Sequence, residues 1–138
     1  MSDAIKHECG IAVLRLKKPL EFYLKKYGTA FYGLNKMYLM MEKQHNRGQD
    51  GAGLVNIKLD MAAGERYISR HRSIDSKPIQ DIFNKINARF QEIADIDPEL
   101  LNDIDYLKKN AGFTGEVFIG HLRYGTLGRN SIEACHTF

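Results

Sequence analysis

From Ala30 to Gln44 the residues Ala30, Phe31, Leu34, Met37, Tyr38 and Met41 recur at three- and four-residue spacing. That period predicts an amphipathic helix whose single apolar face must be buried against something. Its Met and aromatic stripe reads as core packing rather than as a cofactor box. The neighbouring segments have a different pattern. Gly10 to Leu16 is a run rich in Ile, Val and Leu, bounded by Gly10 and by Lys17, Lys18 and Pro19, and reads as a buried strand. Leu54 to Leu59 and Arg66 to Arg72 are strand-like and flank a turn at Ala62 to Gly64, which predicts a hairpin.

Further on, Ser76 is placed to cap a helix with Pro78 in its first turn, and Ile79, Ile82, Phe83, Ile86 and Phe90 supply its apolar stripe. Asp97 and Pro98 open a second helix, with Leu100, Leu101, Ile104 and Leu107 facing inward and Asn110 to Gly112 ending it. Glu116 to Leu122 is another buried-strand candidate. Strands interleaved with one-faced helices imply helices packed on a sheet, an α+β fold. The chain stops at Phe138, just after a strand and a loop. Such an end leaves a sheet edge or core face unfilled, so a longer protein is expected.

A chain of 138 residues fits one domain that buries about two thirds of its unfolded surface. Apolar residues at 43% and charged residues at 27% are ordinary for a globular chain. The formal charge of +3 is mild and Lys and Arg are scattered along the sequence, which argues against nucleic acid as a partner. No apolar run reaches the roughly 18 residues of a membrane span. Met1 to Glu8 lacks the apolar stretch of a secretory signal, so the cytoplasm is the expected location. There the two cysteines, Cys9 and Cys135, are expected as free thiols.

Three glycine-punctuated segments combine glycine with a reactive or charged residue beside an expected strand. They are Cys9-Gly10-Ile11, Arg47-Gly48-Gln49-Asp50-Gly51-Ala52-Gly53 and Gly120-His121-Leu122-Arg123-Tyr124-Gly125-Thr126. Glycine admits close approach of backbone to ligand, and Arg offers a planar fork matched to a carboxylate. Singly, each is weak: a cysteine at the head of a strand is most often a structural thiol. Together they can clamp a small anionic substrate beside a thiol.

With Gln44-His45 ahead of Arg47, these segments resemble, in order, the start of the class II glutamine amidotransferase domain. This is the glutaminase module of the N-terminal nucleophile hydrolases. Among its members, the glutaminase domains of amidophosphoribosyltransferases are the most similar. The resemblance implies an αββα layered fold, incomplete in this chain, and a part in purine biosynthesis. It implies that Cys9 is the nucleophile and that Arg123 holds the glutamine α-carboxylate. Arg47, with Asp50 in the loop from Gly48 to Gly53, lies by the same likeness near the thiol. His121, Tyr124, Gly125 and Thr126 frame the pocket, His121 as a positioning strand histidine rather than a general base. Asn46 between His45 and Arg47, Gly51 in place of a more usual Ala, and Thr137 before Phe138 depart from the family pattern without removing a catalytic atom. The segment 76–110 looks like a helical insertion.

The chemistry of such a nucleophile follows from pKa values. A thiol near 8.5 is only a few per cent ionised at pH 7, whereas an α-amine near about 7.7 to 8.0 accepts a proton close to neutrality. In an N-terminal cysteine both groups sit on one residue, which needs no His or Asp partner. Eight residues precede Cys9, so Met1 to Glu8 is read as a propeptide, released when the thiol attacks the Glu8 carbonyl and water opens the thioester. The likeness places the oxyanion donors, an Asn-Gly pair, and an acidic grip on the substrate amine beyond Phe138. The 138-residue chain alone is therefore expected to have little activity. No cofactor is expected in this domain. L-glutamine is the expected substrate, the acceptor a downstream phosphoribosyltransferase-like domain with its own Mg2+, and a homo-oligomer is compatible.

Three other readings stand beside this one. A thiol dyad of Cys9 with His121 is one; the alternative pair, Cys135 and His136, would point to opposite faces of a strand. A zinc site from His7, Cys9, Cys135 and His136 lacks Cys-x-x-Cys spacing. The non-enzyme reading is a catalytically silent module.

Overall fold

The computed structural model describes residues 9–44 and 51–123. In chain order the elements are β1 (Cys9–Arg15), α1 (Leu20–Tyr27), α2 (Tyr32–Lys43), β2 (Gly51–Ile57), β3 (Ile68–Ser73), α3 (Pro78–Ile96), a 3-10 turn (Pro98–Asn102), α4 (Ile104–Asn110) and β4 (Val117–Arg123). The architecture is α+β. The strands form one sheet in the order β1-β4-β2-β3, and every neighbouring pair is antiparallel. The expected hairpin is β2 with β3, running from Ala52 opposite Ser73 to Ile57 opposite Ile68. β4 is the latest of the described strands in sequence and lies between β1 and that hairpin.

Alternation along the strands decides which face is covered. Ala12 is 4% exposed, whereas its neighbours Ile11 and Val13 are 63% and 60% exposed. The register puts Ala12 beside Gly120 and Leu54, so this face continues across β4 and β2. On it, α2 packs over β1 and β4 while α3 packs over β2 and β3. Gly120 lets α2 come close: a Cβ there would stand 2.8 Å from Met41 Sδ and 2.9 Å from Met37 Cε. The α3 stripe of Ile79, Ile82, Phe83, Ile86, Phe90 and Ile93 shares one core with Leu34, Met37 and Met41 of α2. Each fully buried side chain of this size stabilises the fold by about 1.5–3 kcal/mol. The two helices are joined by Phe31 stacked on Phe90 at 4.2 Å and by Tyr38 edge-on to Phe83 at 5.1 Å.

The opposite face carries no helix among the described residues. Ile11 and Val13 of β1 and Ile68 of β3 are exposed there, with Ile57, Val117 and Ile119 half-buried between them. The expectation that Gly10 to Leu16 is a buried strand is thus corrected: among the described strands β1 lies at the sheet edge, and its odd-numbered apolar residues Ile11 and Val13 are exposed, facing away from the helices.

Three local expectations also change. Leu20–Tyr27 forms a helix beyond those expected from the sequence, closed by Gly28 in the left-handed conformation at φ 78°. The helix expected to run from Asp97 to Asn110 breaks at Asp103, whose carboxylate accepts from the Tyr106 amide at 3.0 Å and starts α4 afresh. Ser76 does not cap α3. Asp75 takes that part of the chain instead, its Oδ1 accepting from the Lys77 amide and the Ser76 hydroxyl, both at 3.2 Å. No helix among the described residues is long and apolar enough to cross a membrane.

Candidate functional site

The antiparallel register gathers the three glycine-punctuated segments at one end of the sheet. Cys9 on β1 stands opposite Arg123 on β4, and Arg123 stands opposite Gly51 on β2, so one row crosses all three strands. Adjacent strands are about 4.8 Å apart, which sets the Cys9 and Gly51 backbones about 10 Å apart across Arg123. The next row of the same face is Ile11, His121 and Gly53. His121 is buried at 6% exposure and Arg123 is half-buried. Beside both, β2 offers glycine, so it contributes no side chain to the face at either position. The result is a row of polar side chains on β4 bordered by a bare backbone strand, on the face opposite the helices.

Gln44 ties this corner together from the helix side. At the C-terminal cap of α2, its Nε2 donates to the Ile11 carbonyl at 3.1 Å. Its Oε1 lies where a Cβ on Gly10 would come within 2.5 Å. Gly10 is therefore required for the Gln44 amide to lie flat against the start of β1. The glycine following Cys9 thus makes room for the Gln44 side chain.

Cys9, His121 and Arg123 are thus brought to one corner, with Cys9 described as the first position of β1. Arg47, Asp50, Tyr124, Gly125 and Thr126 lie outside the described residues, as do Met1 to Glu8, Cys135 and His136. Among the described residues no group of three or more His, Cys, Asp or Glu could hold a metal ion.

A second constellation had no signal in the sequence beyond scattered Lys and Arg. The chain that follows β2, together with β3, α3 and α4, borders a half-open cavity of about 540 Å3 lined by Lys58, Arg66, Arg70, Lys85, Arg89 and Lys109 among others. His71, which stacks on Phe113 at 5.0 Å, also lines it. Burial lowers the His71 pKa, and Lys85 lowers it further. Burial likewise lowers that of Lys58, helped by Arg66 and Lys108.

Under the cavity runs a buried polar knot. Lys108 Nζ donates to Glu116 Oε2 at 2.5 Å and to the Leu59 carbonyl at 3.1 Å, while Glu116 Oε1 accepts from the Leu59 amide at 2.9 Å. Lys58 Nζ donates to the Lys108 carbonyl at 2.6 Å.

No protein-family model, no curated protein and no solved structure matches this chain.

Proposed function

We propose that this chain is the leading part of a class II glutamine amidotransferase domain, with Cys9 as the nucleophile of glutamine hydrolysis once Met1 to Glu8 has been removed. One observation carries the reading: Cys9, Arg123 and Gly51, from three segments far apart in sequence, share one row of the sheet. A substrate amide that reaches the thiol has a guanidinium one strand away, at the right scale to hold the α-carboxylate of glutamine. The glycines on β2 leave room beside it.

In this mechanism the free α-amine of Cys9 takes the thiol proton as sulfur attacks the side-chain carbonyl carbon of glutamine. The C–N bond of the tetrahedral intermediate breaks, the ammonium proton returns to nitrogen, and ammonia leaves a γ-glutamyl thioester. Water then attacks the same carbon and releases glutamate and the thiol. The negative oxygen of the intermediate needs hydrogen-bond donors, each worth about 3 kcal/mol of barrier, and these are assigned to the Asn-Gly pair of the family. In the αββα arrangement a second sheet packs on the first. The helix-free face bearing Ile11, Val13 and Ile68 is apolar enough to receive it. The ammonia passes to an acceptor domain of the phosphoribosyltransferase kind, which brings its own Mg2+, in cytoplasmic purine synthesis.

The test uses protein expressed from the complete reading frame and a glutamine-like electrophile. Intact mass is expected to show loss of Met1 to Glu8 and one adduct on Cys9, prevented by glutamine and absent from Cys9→Ala, which retains the leader. Arg123→Lys is expected to raise KM for glutamine with little change in kcat. Glutamine hydrolysis undiminished in Cys9→Ala, or a fully active protein that keeps Met1 to Glu8, overturns the reading.

A further inference from the structure

We infer that the cavity between β3, α3 and α4 is a binding site for a small phosphorylated metabolite, separate from the Cys9 corner. Seven of its lining residues are Lys or Arg and one, Glu65, is acidic. Part of that charge is offset: Lys85 lies 3.3 Å from Asp81, Arg89 pairs with Glu92 at 3.1 Å, and Lys108 is held by Glu116. Lys58 and Arg66 give hydrogen bonds to backbone carbonyls, of Lys108 and Ile68, which leave their charge intact. Lys109 adds a further charge at the rim. The positive surplus is therefore built into the walls.

The C-terminal end of α4 would ordinarily repel an anion, because its last carbonyls carry the negative pole of the helix. Here the Lys108 carbonyl is covered by Lys58 Nζ and the Asn110 carbonyl by Arg89 Nη2 at 2.8 Å. Those contacts turn the helix end from a repulsive into a cationic wall. A volume of about 540 Å3 lies within the range of small-molecule sites and exceeds what a bare phosphate fills. The stacked His71 and Phe113 rings provide an aromatic wall for the rest of such a molecule. A nucleic acid fits less well, since the charge is concentrated in a concavity while the whole chain carries only +3. β2 starts at the Cys9 corner and ends at this cavity, about 20 Å away, so the two sites are spatially distinct.

The experiment titrates the whole chain with inorganic pyrophosphate by calorimetry and follows backbone amide resonances in parallel. Saturable one-to-one binding is expected, with shifts concentrated at Ser69, His71, Gly112 and Phe113. Charge reversal at two exposed positions, Lys85→Glu with Arg89→Glu, is expected to weaken binding by about tenfold or more. Lys17→Glu with Lys25→Glu, exposed residues at and before α1, serves as the control and should bind as the parent does. Circular dichroism checks that both variants are folded, and the amide shifts of the parent protein stand independently of either. The inference is overturned by an absence of saturable binding, by shifts scattered over the surface, or by an equal loss in the control. It is also overturned if a single-stranded oligonucleotide binds more tightly than pyrophosphate and displaces it. Glutaminase activity enters none of these readouts, so failure here and failure of the Cys9 mechanism are distinguishable.

Discussion

Asn56 and Gly115 exchange two hydrogen bonds: the Gly115 amide donates to Asn56 Oδ1 at 2.7 Å, and Asn56 Nδ2 donates to the Gly115 carbonyl at 3.1 Å. The second amide hydrogen of Asn56 goes to the Val117 carbonyl at 3.1 Å. Asn56 is fully buried, so its side chain fixes where β4 begins against β2 with every donor used.

Asn56→Ala is expected to destabilise the fold by about 2–4 kcal/mol, because three backbone groups lose a buried partner at once. Asn56→Asp should be worse still. It turns a donor facing two carbonyls into a carboxylate that must be buried among acceptors. Urea unfolding of the three proteins gives the ranking, and an Asn56→Asp variant as stable as the parent would contradict it.

Gly10→Ala forces Gln44 Oε1 away from the 2.5 Å approach and breaks the Gln44 bond to Ile11. We expect a loss of about 1 kcal/mol that largely vanishes when the same change is made in a Gln44→Ala background, since the two sites are in contact. A double-mutant cycle by chemical denaturation measures the coupling. Full additivity would show that the two residues do not restrain each other.

Removing Glu116 alone should cost more than removing the pair. Glu116→Leu leaves the Lys108 ammonium, whose side chain is only 16% exposed, without its carboxylate, at a cost of about 3 kcal/mol. Lys108→Met combined with Glu116→Leu is expected to recover most of that loss. Thermal melts of both singles and the double compare them directly.

His71 predicts a pH dependence of definite sign. Burial, then Lys85 and Arg66, hold its folded pKa below the ordinary value, with Asp81 opposing. The unfolded chain therefore takes up this proton first as pH falls through about 6.5, and stability declines from there until the folded pKa is passed. His71→Gln should flatten that part of the stability profile. Asp81 acts in a lower window: Ser73 and Lys85 hold its carboxylate below the usual range, so its contribution is present above about pH 4 and is lost on acidification through the folded pKa. Denaturation midpoints from pH 8 to 5 in the parent and His71→Gln check the first window.

The α2 and α3 stripes follow from three- and four-residue spacing, whereas the β2–β3 hairpin and strands β1 and β4 follow from short apolar or strand-like runs bounded by turn residues. α1 escapes notice although Pro19 and Gly28 bracket it and Leu20, Tyr23, Leu24 and Tyr27 recur at three- and four-residue spacing, because its stripe is confined to eight residues and only Leu20 is fully buried. The break at Asp103 hides in the same way: Asp is tolerated on a helix surface, and only its bond to the Tyr106 amide shows it to be a cap. Strand composition could not tell that Ile11 and Val13 face away from the helices, since an edge strand of Ile, Val and Leu reads like a buried one. The cationic cavity was least accessible of all, for Lys58, Arg66, Lys85 and Lys109 share no sequence pattern and meet only through the packing of α3 and α4 on the hairpin.

The place of β4 carries a consequence for the order in which the chain matures. Because β4, the latest of the described strands in sequence, is wedged between β1 and the hairpin, β1 has no sheet partner among the described strands until residues 117–123 have left the ribosome. Such distant pairings form late and slowly. Until then Cys9 and Arg123 belong to separate stretches of nascent chain. The topology itself acts as a timer, keeping the row of Cys9, Arg123 and Gly51 unassembled until β4 has been made.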